Sequence, residues 1–157
     1  MDLILWRHAE AEEWPERNPE SATDLDRSLT QRGEKQAARM AVWLDRQLPE
    51  GTRILVSPAR RCEQTAIALG RKFRIRQELA PDATPAAVLA LAQWPMVKTP
   101  TLIIGHQPTL GQTIARLVGL TESDCPVKKG AVWWLRNRDR DGLLQTVVVT
   151  VQSPENL

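Results

Sequence analysis

The chain contains two histidines, and each closes a short apolar run: His8 follows LILWR and His106 follows TLIIG. Imidazole changes charge near neutral pH and serves as nucleophile, proton carrier or hydrogen-bond donor. Runs of this length and composition read as buried strands. If the two strands are parallel neighbours, both imidazoles emerge at the carboxyl edge of one sheet. That edge is where open α/β sheets bind ligands. Arg7, beside His8, adds a guanidinium that can clamp phosphoryl oxygens. Two imidazoles with such a neighbour point to phosphate chemistry.

A further motif is expected at the same edge. Residues 57–66 read Ser-Pro-Ala-Arg-Arg-Cys-Glu-Gln-Thr-Ala and form a strand-to-helix junction. Helix N-termini present free N–H groups to anions. Arg60 and Arg61 are adjacent, so on a helix they point in different directions and at most one faces a site there. Cys62 shares an apolar stripe with Ala59, Ala66 and Leu69, and reads as a small core residue. Gly105-His106-Gln107-Pro108 repeats the order of strand, histidine and helix start, and a helix N-terminus disfavours imidazolium. Taken singly, each histidine is a hydrogen-bonded strand-end residue and each arginine a solvated one. Three strand ends at one edge, carrying His8, Arg61 and His106 with Arg7 alongside, favour a site. In it a neutral His8 attacks phosphorus, kept neutral by the neighbouring positive charge. His106 donates to a phosphoryl oxygen as it gains charge.

The elements that must position these groups follow from periodicity. Strands are expected at 2–6, 53–57, 73–77 and 101–105. A long polar loop spans 9–29. Helices are expected at 31–48, about 58–70, 85–94 and from Pro108 to Gly119. Thr30 is the N-cap of the first helix and Pro49-Glu50-Gly51 its stop. Runs 131–136 and 143–151 read as a closing hairpin turning at 138–142, with adjacent Trp133 and Trp134 on opposite faces. The tail SPENL is expected to fray. This alternation predicts a single α/β domain over 1–157, a three-layer α/β/α sandwich with a mostly parallel mixed sheet.

Bulk composition narrows the function classes. At 157 residues the chain suits one core, and its net charge of +2 is too small for general nucleic-acid binding. The basic residues are 16 Arg and 5 Lys, a bias that is either simple composition or a supply of bidentate anion contacts, which only the positions decide. Cys62 and Cys125 form no CxxC pattern, which fits a reducing cytosol and excludes a disulfide framework. The N-terminus lacks the basic and apolar regions of a signal peptide, and no membrane association is expected. Two histidines bracketed by arginines make a poor cation site, so neither metal nor cofactor is expected.

The motifs together resemble the histidine phosphatase superfamily, with its phosphoglycerate mutase-like fold. Arg7-His8-Ala9 matches the Arg-His-Gly hallmark except at Ala9, whose methyl group bears on pocket shape. The segment 24–33, Asp-Leu-Asp-Arg-Ser-Leu-Thr-Gln-Arg-Gly, is similar to D-x-x-R-x-L-T-x-x-G. Residues 57–66 are similar to S-x-x-x-R-x-x-x-T-A, which selects Arg61 over Arg60. Gly105-His106 resembles the second-histidine motif. The short length and the wording SPxxRxEQT resemble the SixA-type phosphohistidine phosphatases. The resemblance implies His8 as the nucleophile, Arg7, Arg61 and His106 as the phosphate pocket, and Arg27 as a further substrate-binding group.

Chemistry supports that subfamily. An alkoxide leaving group needs a positioned acid. Here the region between the second and fourth strands is short and offers Asp82 and Glu78, while Glu10, Glu12 and Glu13 lie in the first loop. A phosphorylated imidazole leaves more easily, because its ring carries the proton. The expectation is a cytoplasmic, monomeric, metal-independent phosphatase acting on a histidine-phosphorylated phosphotransfer protein. Trp14 is a candidate partner contact. Two alternatives stand: a small-molecule phosphomonoesterase or mutase, with Asp82 or Glu10 as acid, and a non-catalytic phosphohistidine-binding module.

Overall fold

The computed structural model describes residues 1–13 and 23–157, so Trp14 lies outside the described residues. The described residues form six strands and four helices: β1 (Asp2–Arg7), α1 (Gln31–Gln47), β2 (Arg53–Val56), α2 (Arg60–Leu69), β3 (Arg74–Ile75), α3 (Pro85–Ala92), β4 (Thr101–Gly105), α4 (Thr109–Val118), β5 (Val132–Arg140) and β6 (Leu143–Gln152). They form one sheet in the order β3-β2-β4-β1-β5-β6. The β3–β2, β2–β4 and β4–β1 pairs are parallel, and β5 and β6 close the sheet antiparallel. This is the expected mixed, mostly parallel α/β architecture.

Alternation along the central strands builds both faces. Ile4, Trp6, Ile54, Val56, Leu102 and Ile104 pack on one side with Met40, Ala41 and Leu44 of α1 and with Cys62, Ala66 and Leu69 of α2. Leu3, Leu5, Leu55 and Ile103 pack on the other with Val88 and Ala92 of α3 and with Leu110 and Ile114 of α4. A two-residue period on strands buried on both faces is what a three-layer sandwich requires. Trp134 is buried on the α1/α2 side and Trp133 is half-buried on the other.

The helix starts are fixed by local chemistry. Thr30 Oγ1 accepts from the Gly33 N–H at 3.0 Å, capping α1. Gly33 also lies so close to the Glu10 carbonyl that a Cβ there would collide with it. The glycine of the L-T-x-x-G segment therefore lets the chain after β1 lie on the first turn of α1. Thr84 caps α3 through the Ala87 N–H at 3.1 Å, with Pro85 in the first turn.

Three expectations need correction. The hairpin strands extend further: Arg138, Asp139 and Arg140 pair with Gln145, Leu144 and Leu143, leaving Asp141-Gly142 as the turn. Both turn residues have positive φ, 55° and 81°, as a tight two-residue hairpin demands. The charged run hid the strand because this end of the hairpin is exposed and buries no face. The C-terminal tail is not frayed. Residues Pro154–Asn156 form a 3-10 turn, Pro154 is buried beside Gly130, and Arg39 donates to the Leu157 carbonyl at 2.6 Å. Finally, α3 stops at Ala92, because Gln93 turns left-handed with φ 56°.

Candidate active site

Register places the two histidines side by side. Arg7 at the end of β1 pairs with Gly105 at the end of β4, and the His8 N–H donates to the Gly105 carbonyl at 3.2 Å. The rings that follow have centroids 5.3 Å apart, tilted by 58°. Both are buried. β2 ends one strand further along, and the Ser57 N–H donates to the Ile104 carbonyl at 3.0 Å. Arg61, in the first turn of α2, is 3% exposed, whereas its neighbour Arg60 is exposed. The structure therefore brings His8, Arg7, Arg61 and His106 to one edge, with Arg61 as the arginine that turns inward.

Hydrogen bonds assign the ring nitrogens. His8 Nδ1 lies 2.7 Å from the Ala9 carbonyl, which only accepts, so Nδ1 carries the hydrogen. Nε2 is left with its lone pair, the arrangement a nucleophile needs. Burial, and then the neighbouring His106, Arg61 and Arg7, pull His8 down to about 3 against the opposing bond to the Ala9 carbonyl. His106 is likewise brought to about 3, by burial and then by Arg61. Both rings are therefore neutral near pH 7. Arg61 Nη2 lies 3.3 Å from His106 Nδ1, so Nδ1 is the acceptor and Nε2–H donates to Ser57 Oγ at 2.7 Å.

The guanidinium groups are held from behind. Arg7 Nη1 donates to the Val127 carbonyl at 2.7 Å. Arg61 Nη1 and Nη2 donate to the Asp24 carbonyl and carboxylate at 2.8 and 3.0 Å. Arg27 reaches the same carboxylate at 2.9 Å and donates from Nε to the Glu12 carbonyl at 2.6 Å. Arg27 thus joins the cluster through Asp24. The Nε atoms of both Arg7 and Arg61 are buried without a hydrogen-bond partner among the described residues. Buried unpaired donors are costly, and here two of them belong to cations beside two neutral imidazoles. Such an assembly is built to receive an anion.

Asp24, Ser57, Thr65 and the Val127 carbonyl are the parts whose roles sequence reasoning did not assign. Asp24 and Ser57 belong to the segments 24–33 and 57–66, but their partners lie far along the chain. Thr65 Oγ1 accepts from the Ala9 N–H at 3.2 Å and donates to the Arg61 carbonyl at 2.7 Å, tying the turn after β1 to α2. Ala9 is fully buried against Leu29 and Ala37. Its side chain packs into a small apolar cluster, which accounts for an alanine at the hallmark glycine position. Cys62 is buried beside His106, and burial pushes its thiol up to about 12, so it stays protonated.

The carboxyl groups are placed elsewhere. Glu10 Oε2 accepts from Thr30 Oγ1 at 2.7 Å, at the start of α1. Glu78 is exposed and paired with Arg76 at 2.7 Å. Burial acts to raise Asp24, but the bonds from Arg27 and Arg61 outweigh it and hold the carboxyl below its ordinary value. Asp82 lies in the turn before α3, where the neighbouring Ala83 carbonyl accepts from Thr109 Oγ1 at 2.7 Å. No group of metal-ligating side chains occurs among the described residues, and no described helix is long and apolar enough to cross a membrane.

Comparison with known proteins agrees with this geometry. The family model of the histidine phosphatase superfamily (branch 1) matches residues 3–84. The phosphohistidine phosphatase SixA of Escherichia coli (strain K12) is 30% identical over 125 residues, 74% of each chain. The SixA homolog of Haemophilus influenzae is 31% identical over 135 residues, covering 76% of this chain and 78% of that one. The solved structure of the protein histidine phosphatase SixA complexed with tungstate superposes with a TM-score of 0.79, at 28% identity and 99% coverage of both chains. The sheet order, the paired histidines and these relatives lead to one conclusion: the chain is a SixA-type member of the histidine phosphatase superfamily and a hydrolase.

Proposed function

We propose that the protein hydrolyses phosphohistidine carried on a phosphotransfer protein, through a phosphorylated His8. The observation that carries this reading is the neutral His8, Nε2 lone pair free, 5.3 Å from His106 and flanked by buried guanidinium groups. Arg7 and Arg61 hold the equatorial oxygens of the phosphoryl group. His8 Nε2 attacks phosphorus in line, and the P–N bond to the substrate imidazole breaks. Its electron pair returns to that ring, which leaves as neutral imidazole with a proton on its other nitrogen. Water then attacks phospho-His8, releasing phosphate and restoring the Nε2 lone pair. A bound dianion draws His106 toward its charged form, since opposite charge favours imidazolium. Its Nδ1, now protonated, donates to an oxygen as charge develops there. Arg27 acts at the rim of the pocket, steering the phosphoryl group and holding Asp24.

The leaving group decides between esters and phosphoramidates. Asp24, the carboxylate bonded to the site, is ionised and engaged by two arginines, so it is a poor proton donor. P–N cleavage needs no strong acid, whereas ester cleavage does. Asp82 alone favours a second reading, phosphomonoester hydrolysis, because its turn touches the start of α4. The deciding assay offers a histidine-phosphorylated carrier protein and a panel of phosphomonoesters, without added metal. Fast turnover of the carrier, slow turnover of the esters and indifference to Asp82→Asn are expected. Efficient ester cleavage that collapses in Asp82→Asn would establish the second reading instead.

A further inference from the structure

A cleft of about 800 Å³ lies away from the histidines. It lies at the amino-terminal end of β2 and beside β3. Arg53 starts β2 and Ser57 follows its end, so the two sites are about 13 Å apart along the strand at ~3.3 Å per residue. Arg53, Arg71, Lys72, Arg74 and Arg76 line this cleft around Phe73, and no carboxylate is among its described lining residues. Two of the five cations are paired, Arg71 with Asp45 at 2.9 Å and Arg76 with Glu78 at 2.7 Å. Three positive charges remain unneutralised, more than the +2 of the entire chain. The positive charge is therefore concentrated here.

From this we infer a binding site for a small polyanion bearing two or more linked phosphates. Two of the arginines are fixed before any ligand arrives. Arg53 donates only to neutral acceptors, to Thr101 Oγ1 at 2.7 Å and the Ala92 carbonyl at 2.8 Å among others, and has no carboxylate partner among the described residues. Arg71 donates to the Asp45 carboxylate and to the Asp45, Leu48 and Pro49 carbonyls at the end of α1. Lys72 and Arg74 are exposed and free to close over a guest. Arg53 and Arg71, whose N–H groups are largely engaged, supply fixed positive charge, and the exposed Lys72 and Arg74 supply the direct contacts to phosphate oxygens. The volume lies in the range of small-molecule sites. Cations on an edge strand also discourage strand pairing, but that role needs Arg74 alone and calls for no cleft lined by five cations without a carboxylate.

The test is an NMR titration of the full chain with inorganic tripolyphosphate at physiological salt. Saturable amide shifts are expected at 51–55 and 71–76, on a curve separate from any shifts near His8 and His106. Lys72→Glu with Arg74→Glu is expected to weaken the cleft curve about tenfold or more, as two charge-assisted contacts are lost. The same variant leaves the curve near the histidines and the rate of phosphohistidine turnover unchanged, which also reports that it is folded. Arg138→Glu with Arg140→Glu, on the exposed hairpin, matches the change in net charge and should leave the cleft curve unaltered. Absence of saturable shifts at the cleft, equal weakening by the hairpin control, or tighter binding of hexaglutamate than of tripolyphosphate would each overturn the proposal.

Discussion

Arginines gather at both ends of β2, but the two gatherings differ in kind. At the carboxyl end, Arg61 is buried, one nitrogen of its guanidinium lacks a partner among the described residues, and two neutral imidazoles stand beside it. At the amino end the cations line an open cleft with no imidazole among its described lining residues. Positive charge alone attracts phosphate and changes nothing in it. Transfer needs a lone pair held in place, and burial supplies that by keeping imidazole uncharged. The comparison separates binding an anion from reacting with one.

The largest break between the ends comes from His8→Ala. It should cut phosphohistidine turnover by roughly five to six decades and abolish phosphoenzyme, as loss of a nucleophile does. Tripolyphosphate binding at the cleft should persist. Retained activity or retained labelling would remove His8 from its assigned role. His106→Ala comes next, with a loss of roughly two to three decades in kcat if the ring acts as a donor to developing charge. An effect on KM alone would reassign it to ground-state binding.

The smallest effect is one of protonation. NMR titration of the free protein should show both rings uncharged until far below the ordinary 6.5, near 3. In the unfolded chain each ring charges at its ordinary value, so between those limits the unfolded state binds more protons. The stability this gives is complete above 6.5 and is lost as pH falls toward 3. Thermal denaturation across that interval should show a steeper acid loss for the native sequence than for His8→Gln. Rings that charge near 6.5 would show that the site is wetter than the structure describes. Tungstate, bound in a solved relative, should raise the His106 value and leave the cleft amides unmoved.

Much of the histidine end was legible in the sequence. His8 and His106 end short apolar runs that read as strands, and adjacent helical arginines cannot both turn inward. What escaped notice were couplings between distant segments. Asp24 bonds Arg61 across 37 residues, and Ser57 bonds His106 across 49. Such pairs leave no periodic trace. The exposed half of the β5–β6 hairpin was missed because it buries nothing, and the docked tail because its anchor, Pro154 on Gly130, is a contact made only in three dimensions. The basic cleft was invisible for a similar reason. Arg53 and Arg71 to Arg76 are unremarkable along the chain and converge only when β3 lies beside β2.

The ring separation has a source outside the pocket. β1 and β4 are hydrogen-bonded neighbours, and adjacent strands lie about 4.8 Å apart; the imidazoles that prolong them sit 5.3 Å apart. The sheet acts as a ruler, and the gap between the two rings is a copy of its repeat. Loops around the pocket are thus free to vary in length and sequence without resetting that gap, provided the pairing of Arg7 with Gly105 is kept.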